Sequence, residues 1–310
     1  MIITVTMNPA IDKTVEIEKL TVGSLNRIHK VEYDAGGKGI NVSKTICELG
    51  GTSLALGFLG GNAGKTIENV LKEKGIACDF VYVDGETRTS TKVMDRFGAV
   101  TELNEPGPEI SEIHIQQMLE KVADYAKEDT LFVLSGSIPK GVDKNIYENI
   151  IRLVHEKHGK VLLDADGELF RKAMSAIPDM IKPNIDELKA YEGIDGQISE
   201  EKTEKLAKQF IHQGIELAVV SMGKDGAMFL WDGNTVKCPS LFVKAHSTVG
   251  AGDAMVAAMA YAWENKLDKE EMIRLCMAAS AGAVTTIGTK PPAKELVERL
   301  ITEVSFVSYK

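Results

Sequence analysis

The chain has 310 residues, of which 44% are apolar and 26% are charged, and its formal net charge is −9. This acidic balance excludes a broadly basic surface of the kind that attracts nucleic acid or an anionic membrane, so we expect neither as a partner. The four cysteines form no Cys-x-x-Cys pair, which favours free thiols in a reducing compartment over disulfides or a zinc site. No signal-peptide pattern and no membrane-spanning apolar run is found, so the sequence predicts a cytoplasmic protein.

Short β-branched runs alternate with amphipathic stretches along the chain, which predicts βαβ units and an α/β protein with a mostly parallel sheet. The predicted strands, in chain order, are Ile2–Thr6, Ser53–Phe58, Leu131–Leu134, Val161–Asp164, Met180–Lys182 and Leu217–Ser221. The predicted helices are Gly39–Leu49, Thr66–Lys74, Gly252–Glu264, Lys269–Thr286 and Lys294–Val304. Glycines directly after the first two of these helices support their predicted ends.

Two stretches interrupt this alternation, at about residues 13–34 and 87–104. Both place charged residues at alternate positions and show no helical spacing. Such a two-residue period predicts antiparallel strands with one exposed face, which would form a small sheet outside the main one. Because no Pro- or Ser-rich linker and no internal repeat divides the chain, we predict one α/β domain over residues 1–310, with this sheet as a lid.

A glycine-rich segment, Gly60–Thr66 (GGNAGKT), is superficially similar to a phosphate-binding P-loop. The P-loop pattern G-x-x-x-x-G-K-[ST] needs a glycine five positions before Gly64, where this chain has Leu59. The missing residue matters because successive backbone N–H groups of the loop must wrap around the phosphates. We therefore interpret the segment as a turn after a strand, and we reject a P-loop hydrolase.

The strongest motif is Ser247–Asp253 (STVGAGD), which precedes a long apolar run. Small residues at Gly250, Ala251 and Gly252 let backbone N–H groups converge at a helix start, where orphan donors and the helix dipole favour an anion. Asp253 could be only a capping charge, but that reading does not require three small residues before it. We expect an anion hole beside a carboxylate base, as phosphoryl transfer to an alcohol needs.

Further polar clusters follow predicted strands, where open α/β sheets bind ligands, or open a predicted helix. Each has a second reading: a loop entering a helix for the glycine-rich cluster, a turn cap for Asp12, and a simple hairpin for the last cluster. Asn184 and Glu187 fit either a capping box or a site for hydrated Mg²⁺. The clusters are Asn8–Asp12, Gly36–Asn41 (GGKGIN), Ser135–Ser137 (SGS), Lys182–Glu187 (KPNIDE) and Ser221–Gly226 (SMGKDG).

In this order the motifs resemble those of the PfkB (ribokinase-like) carbohydrate kinases, and the resemblance covers nearly the whole chain. GGKGINV and STVGAGD are most similar to the phosphosugar kinases of that family, 1-phosphofructokinase and tagatose-6-phosphate kinase. The resemblance implies a Rossmann-like three-layer sandwich with a mostly parallel sheet and a small antiparallel β lid. It also implies ATP with Mg²⁺ as the phosphoryl donor, and a homodimer formed through the lid.

The resemblance further implies a role for individual residues, each carried over by its position in a matching motif. Asp253 would take the proton from the sugar's hydroxymethyl group, beside an anion hole formed by Gly250, Ala251 and Gly252. The residues implied in binding the sugar phosphate are Asp12, Arg27, Gly36, Gly37, Lys38, Asn41, Arg88 and Ser137. The residues implied at the nucleotide are Lys182, Asn184, Ser221, Gly223, Gly226 and Thr248, with Asn184 and Glu187 near Mg²⁺ through water.

The charge balance favours a phosphosugar over a neutral acceptor, because an acidic chain needs local cations to bind a dianion. Lys38, Arg27 and Arg88 are candidates for those cations. The implied reaction is conversion of fructose 1-phosphate to fructose 1,6-bisphosphate. The alternatives are a tagatose-6-phosphate kinase giving tagatose 1,6-bisphosphate, a fructose-6-phosphate or nucleoside kinase, and a non-catalytic sensor of sugar phosphates.

Overall fold

The computed structural model describes residues 1–309, which form two sheets and ten α-helices. The strands are β1 Ile2–Thr6, β2 Ala10–Ile17, β3 Ile28–Gly36, β4 Ser53–Leu59, β5 Ala77–Cys78, β6 Val81–Tyr82, β7 Arg88–Asp95, β8 Val100–Asn104, β9 Leu131–Ser135, β10 Lys160–Asp164, β11 Met180–Ile181, β12 Leu217–Ser221, β13 Ala227–Trp231, β14 Asn234–Cys238 and β15 Val307–Tyr309. The helices are α1 Lys38–Glu48, α2 Gly61–Glu73, α3 Glu112–Tyr125, α4 Ile146–Glu156, α5 Gly167–Ala173, α6 Ile185–Glu192, α7 Glu200–His212, α8 Ala251–Glu264, α9 Lys269–Ala283 and α10 Lys294–Ile301.

The larger sheet has eleven strands within the described residues, in the order β15-β14-β13-β12-β11-β10-β9-β1-β4-β5, with β6 paired to β4. All pairs from β12 through β1 to β5 are parallel, and β13, β14 and β15 add an antiparallel edge. The parallel strands are continuous apolar runs because helices cover both of their faces. The predicted mostly parallel sheet is confirmed.

Two apolar cores lie on opposite faces of this sheet, as alternation along the strands requires. In β1, Ile3 and Val5 belong to the core shared with α3 to α7, whereas Ile2 belongs to the core shared with α1, α8, α9 and α10. In β9, Phe132 and Leu131 divide in the same way. These layers form the three-layer sandwich that the resemblance implied.

The second sheet, called the small sheet below, contains β3, β2, β7 and β8 in that order. Its outer pairs are antiparallel, as predicted, but its central pair β2–β7 is parallel. The parallel pair arises because β7 returns to the small sheet only after the chain has passed through β4, α2, β5 and β6 in the main body. Long crossovers of this kind are what parallel neighbours need.

The glycine-rich segment GGNAGKT is helical, since α2 begins at Gly61 and Gly60 is its extended N-cap residue. The Thr66 hydroxyl donates to the carbonyl oxygen of Asn62, one turn earlier in the same helix. The interpretation of this segment as a turn and the predicted helix start at Thr66 are therefore wrong, because the helix begins five residues earlier. A helical segment agrees with the rejection of a P-loop. All four cysteines are free thiols. Within the described residues, no helix combines the length and hydropathy needed to cross a bilayer.

Candidate active site

Polar residues form a row at the carboxyl edge of the main sheet, where its central parallel strands end. β1 is followed by Asn8, β9 ends at Ser135, β10 ends at Asp164, β11 is followed by Lys182, and β12 ends at Ser221. The chain order reverses at β1, which lies between β9 and β4. A reversal of this kind opens the crevice in which open α/β sheets bind ligands.

The turn before α8 presents a helix start to this crevice. Gly250 has φ +85°, a left-handed conformation that glycine adopts without strain, and α8 begins at the next residue. The first intrahelical hydrogen bond runs from the Ala254 N–H to the Gly250 carbonyl oxygen. The N–H groups of Ala251, Gly252 and Asp253 therefore have no acceptor within the helix and are available to an anion.

Asp253 lies in the first turn of α8 and is 7% exposed. Its Oδ2 accepts a hydrogen bond of 2.8 Å from Nδ2 of Asn41, which lies on α1. Burial raises the pKa of the Asp253 carboxyl from 3.8 to about 6, although Lys38, Asn41 and Lys182 oppose the rise. The carboxylate is therefore ionised at neutral pH and is a stronger base than an ordinary aspartate.

Two lysines approach the buried carboxylate of Asp164 from different elements. Nζ of Lys182 lies 3.2 Å from Oδ1, and Nζ of Lys38 lies 3.4 Å from Oδ2. Burial alone would raise the pKa of Asp164, but the two lysines outweigh it and hold that pKa below its usual value. A Cβ on Gly252 would lie 3.4 Å from Nζ of Lys182, so this ammonium group lies directly beside the α8 turn.

Asp164 was not a candidate in the sequence analysis, although Lys38 and Lys182 were. The available signal was its position, the last residue of a predicted parallel strand, which is the place where site residues collect. The Coulomb effect of Asp164 also raises the pKa of Lys38, which keeps that lysine cationic. Lys38 and Lys182 thus share one buried counter-ion, and Lys182 is the lysine that lies beside the α8 turn.

Asp12 is nine-tenths buried at the end of the small sheet that meets the main body. Its Oδ2 accepts a hydrogen bond of 3.2 Å from Nζ of Lys92 on β7 and one of 2.8 Å from Oγ1 of Thr289. A Cβ on Gly36 would lie 2.4 Å from Cγ of Asp12, so only glycine fits at that position. Neither Lys92 nor Thr289 belongs to a motif, and sequence reasoning missed both.

Gly37 and Asn41 complete this side of the site. Gly37 has φ +109° and is the N-cap residue of α1, and a Cβ there would lie 2.7 Å from Cγ2 of Thr6. Asn41 Oδ1 is buried and has no hydrogen-bond partner among the described residues. A buried amide oxygen without a donor is costly, so this atom is suited to a ligand hydroxyl.

Arg88 and Ser137 lie at the rim of the crevice. The Arg88 guanidinium is partly buried and donates to the carbonyl oxygens of Asn8, at 3.2 and 3.3 Å, and Glu105, at 3.2 Å. Three of its five N–H groups are thus used, and burial lowers its pKa. Ser137 is exposed and follows Gly136, whose position is in contact with Lys38.

Arg27 does not join the other candidates within one chain. It is exposed and directly precedes β3, at the end of the small sheet where Ile28 pairs with Ile17. Asp12 pairs with Asp34, which lies seven residues after Arg27 along the strand. At the rise per residue of a β-strand, Arg27 is therefore about 24 Å from the Asp12 end of the sheet. The sequence predicts Arg27 at the site as part of the lid, but the length of β3 places Arg27 far from the site of its own chain.

On the nucleotide side, Asn184 and Glu187 form the capping box of α6. Asn184 Oδ1 accepts from the N–H groups of Asp186 and Glu187, and Glu187 Oε2 accepts from the Asn184 N–H. Asn184 Oδ1 is therefore occupied and is not free to ligate a metal. Glu187 keeps Oε1, and burial raises the pKa of its carboxyl. Within the described residues, no cluster of three or more acidic, His or Cys side chains could hold a metal.

The remaining nucleotide candidates lie in two loops. Ser221 ends β12 and donates its N–H to the Pro183 carbonyl oxygen, which brings the turn Gly223–Gly226 next to Asn184. This turn also connects the antiparallel pair β12–β13, so it is a hairpin as well as a candidate binding turn. Gly226 has φ +92°, and a Cβ there would lie 1.9 Å from the Cys238 carbonyl oxygen. Thr248 is exposed in the loop before α8.

Comparison with known proteins agrees with this geometry. The profile of the pfkB family carbohydrate kinases matches residues 4–296. The chain is 35% identical to a 1-phosphofructokinase of Bacillus subtilis, covering 98% of both chains, and 35% identical to a D-tagatose-1-phosphate kinase of Bacillus licheniformis, covering 92% of both. It superposes on Escherichia coli phosphofructokinase-2 in complex with substrates and products with a TM-score of 0.93, at 27% identity and 97% and 98% coverage. The chain belongs to the pfkB family of carbohydrate kinases.

Proposed function

We propose that this protein is an ATP-dependent phosphosugar kinase that phosphorylates the hydroxymethyl group of a ketohexose monophosphate. The preferred acceptor is fructose 1-phosphate, and the product is fructose 1,6-bisphosphate. The observation that carries the proposal is the buried Asp253 carboxylate at the start of α8, held by Asn41 and flanked by the Lys38–Asp164–Lys182 group. This arrangement combines a base and an anion site, the two parts that phosphoryl transfer to an alcohol requires.

Asp253 acts as the general base. Because Asn41 Nδ2 donates to Oδ2, the other carboxylate oxygen is left to accept the proton of the hydroxymethyl group. The N–H groups of the first turn of α8, which have no acceptor within the helix, stabilise the charge that develops on the transferring phosphoryl group together with the adjacent Lys182 ammonium. The chain supplies positioning and electrostatic stabilisation, without a covalent intermediate.

The residues present suit a nucleoside triphosphate. Lys38 and Lys182 direct two cations at the crevice while Asp164 holds them in place, which fits the negative charge of a polyphosphate. Mg²⁺, which retains several waters when bound, would neutralise phosphate charge. Glu187 Oε1 is the carboxylate oxygen available to order that hydration shell, since Asn184 Oδ1 is used in the helix cap.

The sugar end is formed by groups that suit hydroxyls and one phosphate. Asp12 and the unpartnered Oδ1 of Asn41 would bind sugar hydroxyls, next to the closely packed Gly36 and Gly37. Arg88 at the rim retains two N–H groups for the phosphate that the substrate already carries. The 1-phosphofructokinase relatives favour fructose 1-phosphate, and tagatose 1-phosphate is the second candidate on the strength of the tagatose-1-phosphate kinase relative.

An acceptor panel with coupled ADP detection tests this function. We expect the highest kcat/KM on fructose 1-phosphate, and lower values on tagatose 1-phosphate, tagatose 6-phosphate, fructose 6-phosphate and a nucleoside. A higher kcat/KM on tagatose 1-phosphate would change the proposed acceptor but would leave the proposed mechanism unchanged. Absence of turnover on every acceptor, with sugar phosphate binding retained in calorimetry, would instead indicate a non-catalytic sensor.

We also propose a homodimer formed through the small sheet, because its two faces differ in chemistry. The register places Asp12, Asp34 and Lys92 on the face toward the site. The opposite face exposes Tyr33, Val31 and Leu103 around the buried cluster of Val15, Ile17 and Val93, and it also carries Lys13 and Thr91. A group of exposed apolar side chains on one face of a sheet is typical of an interface. In such a dimer Arg27 would serve the partner's site, because its own is about 24 Å away.

Light scattering after gel filtration tests the dimer. We expect twice the mass of the 33.7 kDa chain for the wild type and the monomer mass for Tyr33→Asp. The matched control is Tyr82→Asp, which changes an exposed tyrosine outside the small sheet and should leave the dimer intact. A monomeric wild type at tens of micromolar, or a dimeric Tyr33→Asp variant, would contradict this interface.

A further inference from the structure

The segment between α9 and α10 lies between the α8 turn and the small sheet and contacts both. On one side, a Cβ on Gly250 would lie 3.6 Å from Cα of Thr289, so the segment packs against the turn that opens α8. On the other side, Thr289 Oγ1 donates to Asp12, and Lys290 forms an ion pair of 2.9 Å with Glu32. Thr289 is therefore the residue through which the α8 turn and the Asp12 carboxylate are connected.

The Asp12 carboxylate is held by two donors that differ in charge and in origin. Lys92 supplies a positive charge to Asp12 from within the small sheet, and this charge offsets the repulsion between Asp12 and the Asp34 carboxylate directly opposite it in the register. Asp34 also has its own cation, since Nζ of the fully buried Lys44 lies 2.7 Å from its Oδ2. The electrostatic balance of Asp12 thus does not depend on Thr289.

Thr289 contributes direction instead of charge. Its hydroxyl and the Lys92 ammonium both bind Oδ2, while Oδ1 accepts no hydrogen bond from the residues that the structure describes. Thr289 and Asp12 are each 8% exposed, so water does not readily replace this contact. The hydrogen bond consequently fixes which carboxylate oxygen is turned outward, and it fixes that oxygen relative to the main body.

We propose that Thr289 is a positioning residue for the sugar phosphate: its hydroxyl orients Asp12 relative to the α8 turn, so that the bound sugar presents its hydroxymethyl group to Asp253. This inference rests on the proposed function, because it takes Asp12 as a ligand of the sugar. Thr289 itself touches neither the sugar nor the nucleotide in this scheme. Its effect should therefore be specific for the acceptor substrate.

The test is steady-state kinetics of Thr289→Val, which has nearly the same shape but no hydroxyl, and of Thr289→Ser, which keeps it. A hydrogen bond to a charged group is strong enough that its loss should raise KM for fructose 1-phosphate about tenfold or more. KM for ATP should change by less than about threefold, kcat should fall because the hydroxymethyl group is less well aligned with Asp253, and the serine variant should recover most of both losses. Should the valine variant fail to fold, Thr289→Ala, which also lacks the hydroxyl, takes its place.

Lys290→Gln is the matched control. It removes the ion pair between Lys290 and Glu32, which joins the same segment to the small sheet, is half exposed and does not involve Asp12. It should leave both KM values unchanged. The inference is overturned if the valine variant keeps the wild-type KM for the sugar phosphate, if both KM values rise together, or if serine is as impaired as valine.

Asp12→Asn separates this inference from the function on which it rests. A raised KM for the sugar phosphate in Asp12→Asn, together with an unaffected Thr289→Val, overturns the inference alone. An unchanged KM in Asp12→Asn overturns the assignment of Asp12 to the sugar, and the inference with it. A raised KM in both variants, with rescue by serine, supports both.

Discussion

Replacement of Asp253 by asparagine should stabilise the protein while it removes the reaction. In the wild type, burial raises the pKa of this carboxyl from 3.8 to about 6, which means that folding disfavours the charged form. A shift of about two units corresponds to about 3 kcal/mol at 1.36 kcal/mol per unit. The uncharged asparagine is free of this penalty and should also retain most of the packing of the original side chain.

The pH dependence follows from the sign of the shift. Below the unfolded pKa near 3.8 both states are protonated and Asp253 carries no penalty. Between about pH 3.8 and 6 the unfolded state releases its proton while the folded state still holds it, so stability falls relative to the variant across this range, and the loss levels off above about pH 6. Asp253→Asn should therefore exceed the wild type in unfolding free energy by about half of the 3 kcal/mol at pH 5 and by nearly all of it above pH 7.

Urea unfolding at pH 5 and pH 8 measures this difference, and coupled ADP detection measures the rate. We expect kcat to fall by about 10²–10⁴ through loss of the general base. Two results would refute the reasoning: a variant no more stable than the wild type at pH 8, or a variant that keeps near wild-type kcat. The first result would show that burial of the charged Asp253 carboxylate does not destabilise the protein, and the second would show that Asp253 is not the general base.

Two further substitutions probe the same site. Asn41→Leu removes the hydrogen-bond donor to the charged Asp253 carboxylate. Because such a bond contributes about 1.5–3 kcal/mol, the acid limb of the kcat/KM profile should move upward from about pH 6 by about one to two units. An acid limb at the wild-type pH would show that this hydrogen bond does not lower the pKa of the base. Arg88→Met should raise KM for the sugar phosphate and leave KM for ATP unchanged, measured against Arg96→Met, which alters an exposed arginine just beyond β7 at the far end of the small sheet. Equal kinetics of the two arginine variants would exclude Arg88 from phosphate binding.

Local sequence signals were sufficient for the elements that carry the site. The strands β1, β9, β10 and β12 are apolar runs, and each was predicted to within a residue of its observed bounds, because burial on both faces leaves no polar alternation. The start of α8 was predicted from Gly250 and the residues after it for a similarly local reason. A glycine that can adopt a left-handed conformation, followed by small residues, is visible in the sequence alone.

Other features depend on segments that meet only in the folded chain. The helix α9 was predicted to run to Thr286 but ends at Ala283, since the hydroxyls of Thr285 and Thr286 bind the carbonyl oxygens of Gly282 and Ala283 in the last turn. The parallel pairing of β2 with β7 was also missed. A strand's periodicity shows that it has two unlike faces, but it does not show which neighbour it has or in which direction that neighbour runs.

The sequence by itself determined the α/β architecture and the membership of the chain in a kinase family, and it led to the proposed base and anion hole, because each rests on short contiguous patterns. Only the tertiary structure decided how charges are balanced around that base. Asp164 with its two lysines, and Asp12 with Lys92 and Thr289, are assembled from distant parts of the chain. The tertiary structure also shows that Arg27 lies far from the site of its own chain, because each residue of β3 adds a fixed rise between Arg27 and Asp34.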